Sequence, residues 1–152
     1  MGVLLALDQG VKAWVRAGVP LRQNSVLLPG LLEFTHVENR GVSFSVLAGL
    51  SDAVRVPLLV SFSAAAVLAL TWYWLRHRKA MNGFMEAAFW LILPGAIGNL
   101  IDRAVYGTVT DYLHFRFYET SFFVNNAADI WISLGVMSYL IGTLLGGRKR
   151  EV

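Results

Sequence analysis

Three aspartates, Asp102, Asp111 and Asp129, are the side chains of this sequence best suited to acid–base chemistry. Two carboxylates that face each other in a partly dehydrated site cannot both ionise freely, so they share a proton. One then acts as a base on a water molecule, while the other acts as an acid towards the carbonyl group that the water attacks. Their positions in the sequence leave open which two of the three would pair.

Each of these aspartates also has an ordinary structural explanation. For Asp111, which lies in a polar connection, it is turn chemistry. Asp102 is adjacent to Arg103 and follows Asn99 by about one turn, which favours a salt-bridged helix end. Asp129 falls in the first turn of a predicted helix, where a carboxylate interacts favourably with the helix dipole and Asn126 is suited to be the N-cap.

A further pair of charges, Asp8 and Lys12, lies four residues apart and therefore on one face of a helix. The simplest interpretation is an ion pair that holds helices together. A different protease chemistry would use Lys12 as the base for Ser43 or Ser45, but the segment that begins at Gly41 lacks the last glycine of a nucleophile elbow.

Metal and cofactor sites are not expected. The sequence has no cysteine, which excludes a thiolate zinc site, a cysteine nucleophile and an iron–sulfur cluster. The three histidines, His36, His77 and His114, are far apart and none belongs to an H-E-x-x-H motif. We therefore expect neither a metal ion nor an organic cofactor.

The composition indicates which elements must position these polar groups. Of 152 residues, 56% are hydrophobic and only 15% are charged, and the mean hydropathy is +0.55. A soluble chain of this size normally has charges at about a quarter of its positions. The sequence therefore predicts an all-α membrane protein.

Four apolar stretches are predicted to be transmembrane helices, over residues 1–19, 56–75, 84–101 and 130–145. The second has no charge over its whole length and, at ~1.5 Å per residue, crosses a hydrocarbon core of ~30 Å. The first contains Asp8, Lys12 and Arg16. It is still expected to be a span, because it lacks the basic start and the cleavage site of a signal peptide.

The basic residues predict the orientation. Arg76, Arg78 and Lys79 separate the second and third spans, and Arg148 to Arg150 follow the fourth. By the positive-inside rule both clusters are cytoplasmic, so both termini are inside and the connections 20–55 and 102–129 are outside.

The first outer connection is predicted to form a small extracytoplasmic β-sheet. Residues 25–32 and 34–46 are rich in β-branched and aromatic types around Pro29, Gly30 and Gly41, which favours short strands over a helix. The basic clusters are explained by topology and anionic membrane lipid, so no nucleic-acid partner is expected. We expect a monomer with a single domain over residues 1–152.

One non-enzymatic function fits the same residues. In a small multi-pass scaffold or transporter subunit, buried Asp8, Lys12, Asn99 and Asp102 would merely hold the helices together.

The chain resembles the bacterial lipoprotein signal peptidases, also called signal peptidase II, over nearly its whole length. The resemblance rests on ordered blocks: Asp8-Gln9 with Lys12, Asn39-Arg-Gly41 with Phe44, Gly95-Ala-Ile-Gly98-Asn99-Leu-Ile-Asp102-Arg103, Gly107-Thr-Val-Thr-Asp111-Tyr112 and Asn126-Ala-Ala-Asp129. Each block alone is a weak signal, but five in this order on a four-span topology are not expected by chance.

The resemblance implies that Asp111 and Asp129 form a catalytic dyad and that Asp102 is structural. It further implies that a set of polar and glycine positions supports or lines the site: Asn99, Arg103, Asn126, Asp8, Lys12, Asn39 and Gly41. Enzymes of this family act in the bacterial inner membrane. They cleave the signal peptide of a prolipoprotein before a cysteine that carries diacylglyceryl, close to the outer leaflet.

Overall fold

The structure is a computed structural model that describes residues 1–41 and 50–147. Four α-helices and four β-strands follow one another along the chain: α1 Gly2–Gly18, β1 Ser25–Leu28, β2 Leu32–Asn39, α2 Asp52–His77, α3 Gly83–Tyr106, β3 Val109–Phe117, β4 Thr120–Asn125 and α4 Ala127–Gly147. A short 3-10 turn, Arg78–Ala80, follows α2.

Three helices are long and apolar enough to cross a membrane: Asp52–Ala80, Gly83–Tyr106 and Ala127–Gly146. They contain the predicted spans 56–75, 84–101 and 130–145, so the chain is a multi-pass membrane protein. The first helix, α1, is shorter and carries three charged residues, and it does not meet the same criterion. The prediction of four spans is therefore supported for three of them.

Helix α3 lies at the centre of the helical layer and packs against the other three helices. Its contact with α4 is close because glycines face the partner backbone. A Cβ atom at Gly95 would lie 2.6 Å from the Ala128 carbonyl oxygen, and one at Gly135 would lie 2.9 Å from that of Ala88. Small residues at a helix interface allow this approach in a membrane, where apolar burial does not drive helices together.

The ends of α3 are defined by side chains that satisfy its free backbone groups. At its start, the Asn82 side chain accepts a hydrogen bond from the Met85 amide. At its end, Gly107 has φ of 74°, a left-handed conformation that glycine adopts without steric cost. This turn leads directly into β3 and fixes where β3 begins relative to α3.

The strands form one antiparallel sheet in the order β1-β2-β3-β4. The predicted small sheet is confirmed, and its first two strands are β1 and β2, although β2 ends at Asn39. Residues 42–46 of the predicted second strand lie outside the described residues, as do Ser43, Phe44, Ser45 and the basic cluster 148–150.

The second outer connection contains two strands that were not predicted from the sequence. Strands β3 and β4 occupy most of residues 102–129. Phe115 and Phe123 are partners across these two strands, with ring centroids 5.2 Å apart. In the register of β2 and β3, Val37 faces Asp111 and Asn39 faces Val109, which brings the end of β2 beside the start of β3.

Candidate active site

Asp111 lies on β3, where its carboxylate is almost fully buried, with 2% of the residue exposed. Both carboxylate oxygens accept hydrogen bonds from asparagine amides. Asn39 Nδ2 donates to Oδ2 at 2.8 Å, and Asn126 Nδ2 donates to Oδ1 at 2.6 Å. The two donors come from β2 and from the residue that precedes α4, so the carboxylate lies where the sheet meets that helix.

Asp129 lies in the first turn of α4 and forms a reciprocal cap with Asn126. The Asn126 amide donates to Asp129 Oδ2 at 3.2 Å, and the Asp129 amide donates to Asn126 Oδ1 at 3.1 Å. This is the capping-box geometry, which satisfies two backbone donors at a helix start. The other oxygen, Oδ1, accepts a hydrogen bond of 2.8 Å from Asn99 Nδ2.

Asn126 connects the two carboxylates. Its residue is fully buried, its side-chain amide donates to Asp111, and its backbone amide donates to Asp129. The same side-chain amide also lies 3.3 Å from Asn99 Oδ1. The predicted N-cap is therefore also the group that ties Asp111 to Asp129.

Behind this layer, Lys12 lies between two buried carboxylates. Its ammonium nitrogen is 2.9 Å from Asp8 Oδ2 and 3.0 Å from Asp102 Oδ2, and all three side chains are fully buried. It also donates a hydrogen bond of 2.8 Å to Asn99 Oδ1. The expected pair of Asp8 and Lys12 is thus one part of a larger cluster, which orients the Asn99 amide towards Asp129.

The two carboxylates of this ionic cluster, Asp8 and Asp102, also accept hydrogen bonds from backbone amides of neighbouring elements. Asp8 Oδ1 accepts from the Ala128 amide at 3.3 Å, in the first turn of α4. Asp102 Oδ2 accepts from the Thr110 amide at 3.3 Å, beside Asp111. Each carboxylate therefore fixes a segment that carries one of the two candidate catalytic aspartates.

Gly41 acts on the site through Asn39. The Gly41 amide donates to Asn39 Oδ1 at 2.8 Å, which leaves Asn39 Nδ2 to face Asp111. Gly41 has φ of 73°, and a Cβ atom there would lie 2.9 Å from a methyl carbon of Leu59. A larger residue would strain this turn and press on α2.

Arg103 lines a cavity of about 390 Å³ together with Asn99 and Asp129. Its Nη1 donates to the Asn99 carbonyl oxygen at 3.3 Å, whereas its buried Nε has no hydrogen-bond partner within the described residues. The rest of the lining is mainly apolar and comes from α2, α3 and α4. The cavity is therefore polar around Asn99, Arg103 and Asp129 and mainly apolar elsewhere.

Burial changes the acidity of the groups on β3. It raises the pKa of Asp111 to about 6, helped by the nearby Asp129 charge and opposed by the hydrogen bonds from Asn39 and Asn126. Burial also raises the pKa of Tyr112 to about 12. With a pKa of about 6, the Asp111 carboxyl group can hold or release a proton near neutral pH, which general acid–base catalysis requires.

Three residues of this region were not among the predicted site residues. Arg16 Nη1 donates to Thr110 Oγ1 at 2.7 Å and lies 3.5 Å from Asp102. The Tyr112 hydroxyl oxygen accepts from the Ala127 amide at 3.1 Å, at the start of α4. The signal for Arg16 was its position one turn after Lys12, and the signal for Tyr112 was its place directly after Asp111.

Comparison with known proteins identifies the relatives of this chain. The family model for signal peptidase (SPase) II matches residues 1–145. A lipoprotein signal peptidase of Gloeobacter violaceus is 41% identical and the match covers 92% of this chain and 76% of that protein. One of Bartonella henselae is 36% identical over 99% of this chain and 91% of that protein.

Two solved structures, each described as a bacterial membrane enzyme structure obtained by the in meso method, share the fold. One has a TM-score of 0.80 at 24% identity and covers 99% of this chain and 87% of its own. The other has a TM-score of 0.79 at 25% identity and covers 93% of this chain and 88% of its own.

The fold and the comparisons together define a multi-pass membrane peptidase of the aspartic type. The chain belongs to the signal peptidase II family. Its activity is the removal of signal peptides from prolipoproteins, and the findings do not support the scaffold or transporter alternative.

Proposed function

We propose that Asp111 and Asp129 are the catalytic pair and that they cleave the peptide bond before a diacylglyceryl-modified cysteine. The observation that carries this assignment is the double role of Asn126, which donates to Asp111 from its side chain and to Asp129 from its backbone. Asp111 is buried and Asp129 is half-buried. Two such carboxylates, both bound by Asn126, are suited to share one proton as in aspartic proteases. Asp102, by contrast, is paired with Lys12 and is assigned a structural role.

In the proposed mechanism one carboxyl group holds a proton and the other is ionised. The raised pKa of Asp111 makes it the proton holder. Asp129 then removes a proton from water, whose oxygen attacks the scissile carbonyl carbon, while Asp111 donates its proton to the carbonyl oxygen. Collapse of the tetrahedral intermediate breaks the C–N bond as the proton on Asp129 passes to the amine of the new N-terminal cysteine. Asp111 takes back a proton from one hydroxyl group of the intermediate, which leaves a carboxylic acid and restores the starting protonation of the pair.

The reaction as proposed needs only these side chains and water. We therefore expect full activity in the presence of EDTA and without any added cofactor. We also expect one copy of the chain to be sufficient, since both carboxylates and all the residues that hold them belong to the same chain.

We further propose that α1 is the fourth membrane span. The charged residues of α1 face the protein, with Asp8 and Lys12 fully buried and Arg16 directed at Asp102. Its outer surface carries apolar side chains, among them Val3, Leu7 and Trp14. A helix with this distribution meets lipid with apolar groups and satisfies its charges internally.

Four spans place both termini in the cytoplasm and the active site near the outer leaflet of the inner membrane. The absence of cysteine from the sequence allows a direct test with single-cysteine variants. Leu21→Cys, after α1, should react with a membrane-impermeant maleimide in intact spheroplasts, whereas Lys79→Cys, after α2, should react only after lysis. The reverse pattern would contradict this orientation, and reaction of both variants before lysis would contradict the four-span topology.

Cleavage before the lipidated cysteine is tested by the mass of the products. The purified protein should convert a diacylglyceryl-modified prolipoprotein into a product that begins with that cysteine, and it should leave the unmodified form uncut. Equal cleavage of both forms would show that the lipid is not recognised.

A further inference from the structure

A groove runs along the helical layer from the candidate active site towards the inner side of the membrane. Helices α2 and α4 both pack on α3 but make few contacts with each other in the described part of the chain. Two cavities lie in this gap. The outer one, of about 390 Å³, has Asp129 and Arg103 among its lining residues. The inner one, of about 260 Å³, is lined almost entirely by apolar atoms.

The two cavities follow one another on all three helices. On α2, Ala66 lines the outer cavity and Leu70, one turn further, lines the inner one. On α4, Ile132 and Val136 are related in the same way. Residues one turn apart lie on the same face of a helix, so the two cavities are successive segments of one groove.

A pair of tyrosines crosses the groove at its inner end. The hydroxyl groups of Tyr73 on α2 and Tyr139 on α4 are 3.0 Å apart, within hydrogen-bond distance. The buried ring of Phe89 on α3 contacts both, with centroid distances of 6.0 Å to each. In a hydrocarbon environment a hydroxyl group without a partner is costly, so each tyrosine holds the other in place.

The length of the groove matches one leaflet of a bilayer. Tyr139 lies ten residues after Asp129 on α4, which corresponds to ~15 Å along the helix axis. Half of a hydrocarbon core of ~30 Å is the same length. The mainly apolar lining of the two cavities suits a single acyl chain that begins at the outer surface.

We propose that this groove holds one acyl chain of the substrate's diacylglyceryl group and that Tyr73 and Tyr139 close its inner end, which limits the length of acyl chain that the enzyme accepts. This proposal rests on the proposed function, since it assumes that the lipidated cysteine is bound beside Asp129. It assigns a specificity-determining role to two residues that are distant from the reacting bond.

The test uses one prolipoprotein peptide with didodecanoyl, dihexadecanoyl or didocosanoyl glyceryl groups, assayed in the same detergent. The wild-type protein should cleave the didodecanoyl substrate with the highest kcat/KM and the didocosanoyl substrate with kcat/KM lowered by about tenfold, because excess methylenes meet the tyrosine pair. Tyr139→Ala should raise kcat/KM for the longest substrate relative to that for the didodecanoyl one. Tyr139→Leu provides a second variant with less loss of packing, and a melting curve checks the fold of each.

Met137→Ala is the matched control, because Met137 lies on the same helix at nearly the same depth but is exposed on the lipid side. Its chain-length profile should equal that of the wild type. A flat wild-type profile, or a profile that Tyr139→Ala and Tyr139→Leu both leave unchanged, would overturn the proposal. The tyrosine variants could instead change which length of the signal peptide's apolar segment is preferred, at constant acyl length. That result would assign the groove to the peptide and would also overturn the proposal.

The outcome is separable from that of the proposed function. If the folded wild-type protein cleaves none of the three substrates, the lipoprotein-processing site itself is wrongly assigned. If all three are cleaved equally well and Asp129→Asn is inactive, only the chain-length limit fails.

Discussion

The side-chain amide of Asn126 lies 2.6 Å from the carboxylate of Asp111, and this contact joins the sheet to the first turn of the last membrane helix. Asp111 is fifteen residues earlier in the sequence and belongs to a different element. Because Asn126 also caps the helix that carries Asp129, one residue determines how the two carboxylates are placed relative to each other.

Substitution of Asn126 separates these two roles. Asn126→Ser retains an N-cap side chain but is too short to reach Asp111, so we expect near-normal melting with kcat lowered by about tenfold or more. Asn126→Ala loses the cap as well and should cost about 1 kcal/mol of additional stability. Melting curves and cleavage rates distinguish the two effects, and normal kcat in well-folded Asn126→Ser would show that the bond to Asp111 is dispensable.

Removal of the Lys12 charge should destabilise the protein strongly. Lys12→Met keeps the length of the side chain but leaves the Asp8 carboxylate buried without a counter-ion and leaves Asp102 with only the longer contact to Arg16. Breaking a buried ion pair in this way typically costs about 3–5 kcal/mol. The measurement is a thermal melt in detergent. Lys79→Met removes an exposed lysine and should melt like the wild type. Equal melting of both variants would contradict the structural role of the cluster.

Gly98 is expected to be essential for the contact between α1 and α3. A Cβ atom at this position would overlap Asp8 Oδ2, in the fully buried ionic cluster. Gly98→Ala should therefore lower the melting temperature. Gly10→Ala on α1 meets no atom within 4 Å and should be neutral or stabilising by up to about 1 kcal/mol, as expected in a helix interior. A higher melting temperature for Gly98→Ala than for Gly10→Ala would disprove this packing.

The sequence indicated most of the helical layer and several contacts within it. The apolar stretches predicted α2, α3 and α4. The β-branched and aromatic residues of the first outer connection predicted short strands there, and Asn126 was recognised as a helix cap. These features depend on residues close together in the chain, whose propensities and spacing act locally.

Features that depend on distant parts of the chain were not predictable. At the start of β3, buried and exposed residues do not alternate, because residues 109 to 112 are all buried. In addition, Asp111 is a residue type typical of turns. The partners of Lys12 are similar in this respect: Asp8 is one turn away, but Asp102 and Asn99 reach it only when α3 packs against α1. The same holds for Arg16 and Thr110.

The stability of the protein should depend on the ionisation of Asp111. Its pKa is about 6 in the folded protein and near its ordinary value of 3.8 in the unfolded chain. Between about pH 4 and about pH 6 the unfolded chain has lost this proton, whereas the folded protein still holds it. Raising the pH across this window therefore favours the unfolded state and lowers the free energy of unfolding by on the order of 3 kcal/mol.

Asp111→Asn removes this titration. The melting temperature of the variant minus that of the wild type should therefore increase with pH across this window and stay constant above it. Melting curves at several pH values provide the measurement, with Glu119→Gln, an exposed acid on the far end of the sheet, as the control. A difference that is independent of pH would show that Asp111 is not shifted.

The assignment of the catalytic pair is tested most directly by cleavage of a purified, diacylglyceryl-modified prolipoprotein, followed as a gel shift. Wild type, Asp111→Asn, Asp129→Asn and Ser133→Ala are compared at equal concentration, each with a melting curve. Ser133 is an exposed residue one turn after Asp129 on α4 and serves as the control. We expect cleavage by the wild type and Ser133→Ala only, with both aspartate variants folded. Cleavage by either folded aspartate variant at near wild-type rate would contradict the assignment of the catalytic pair.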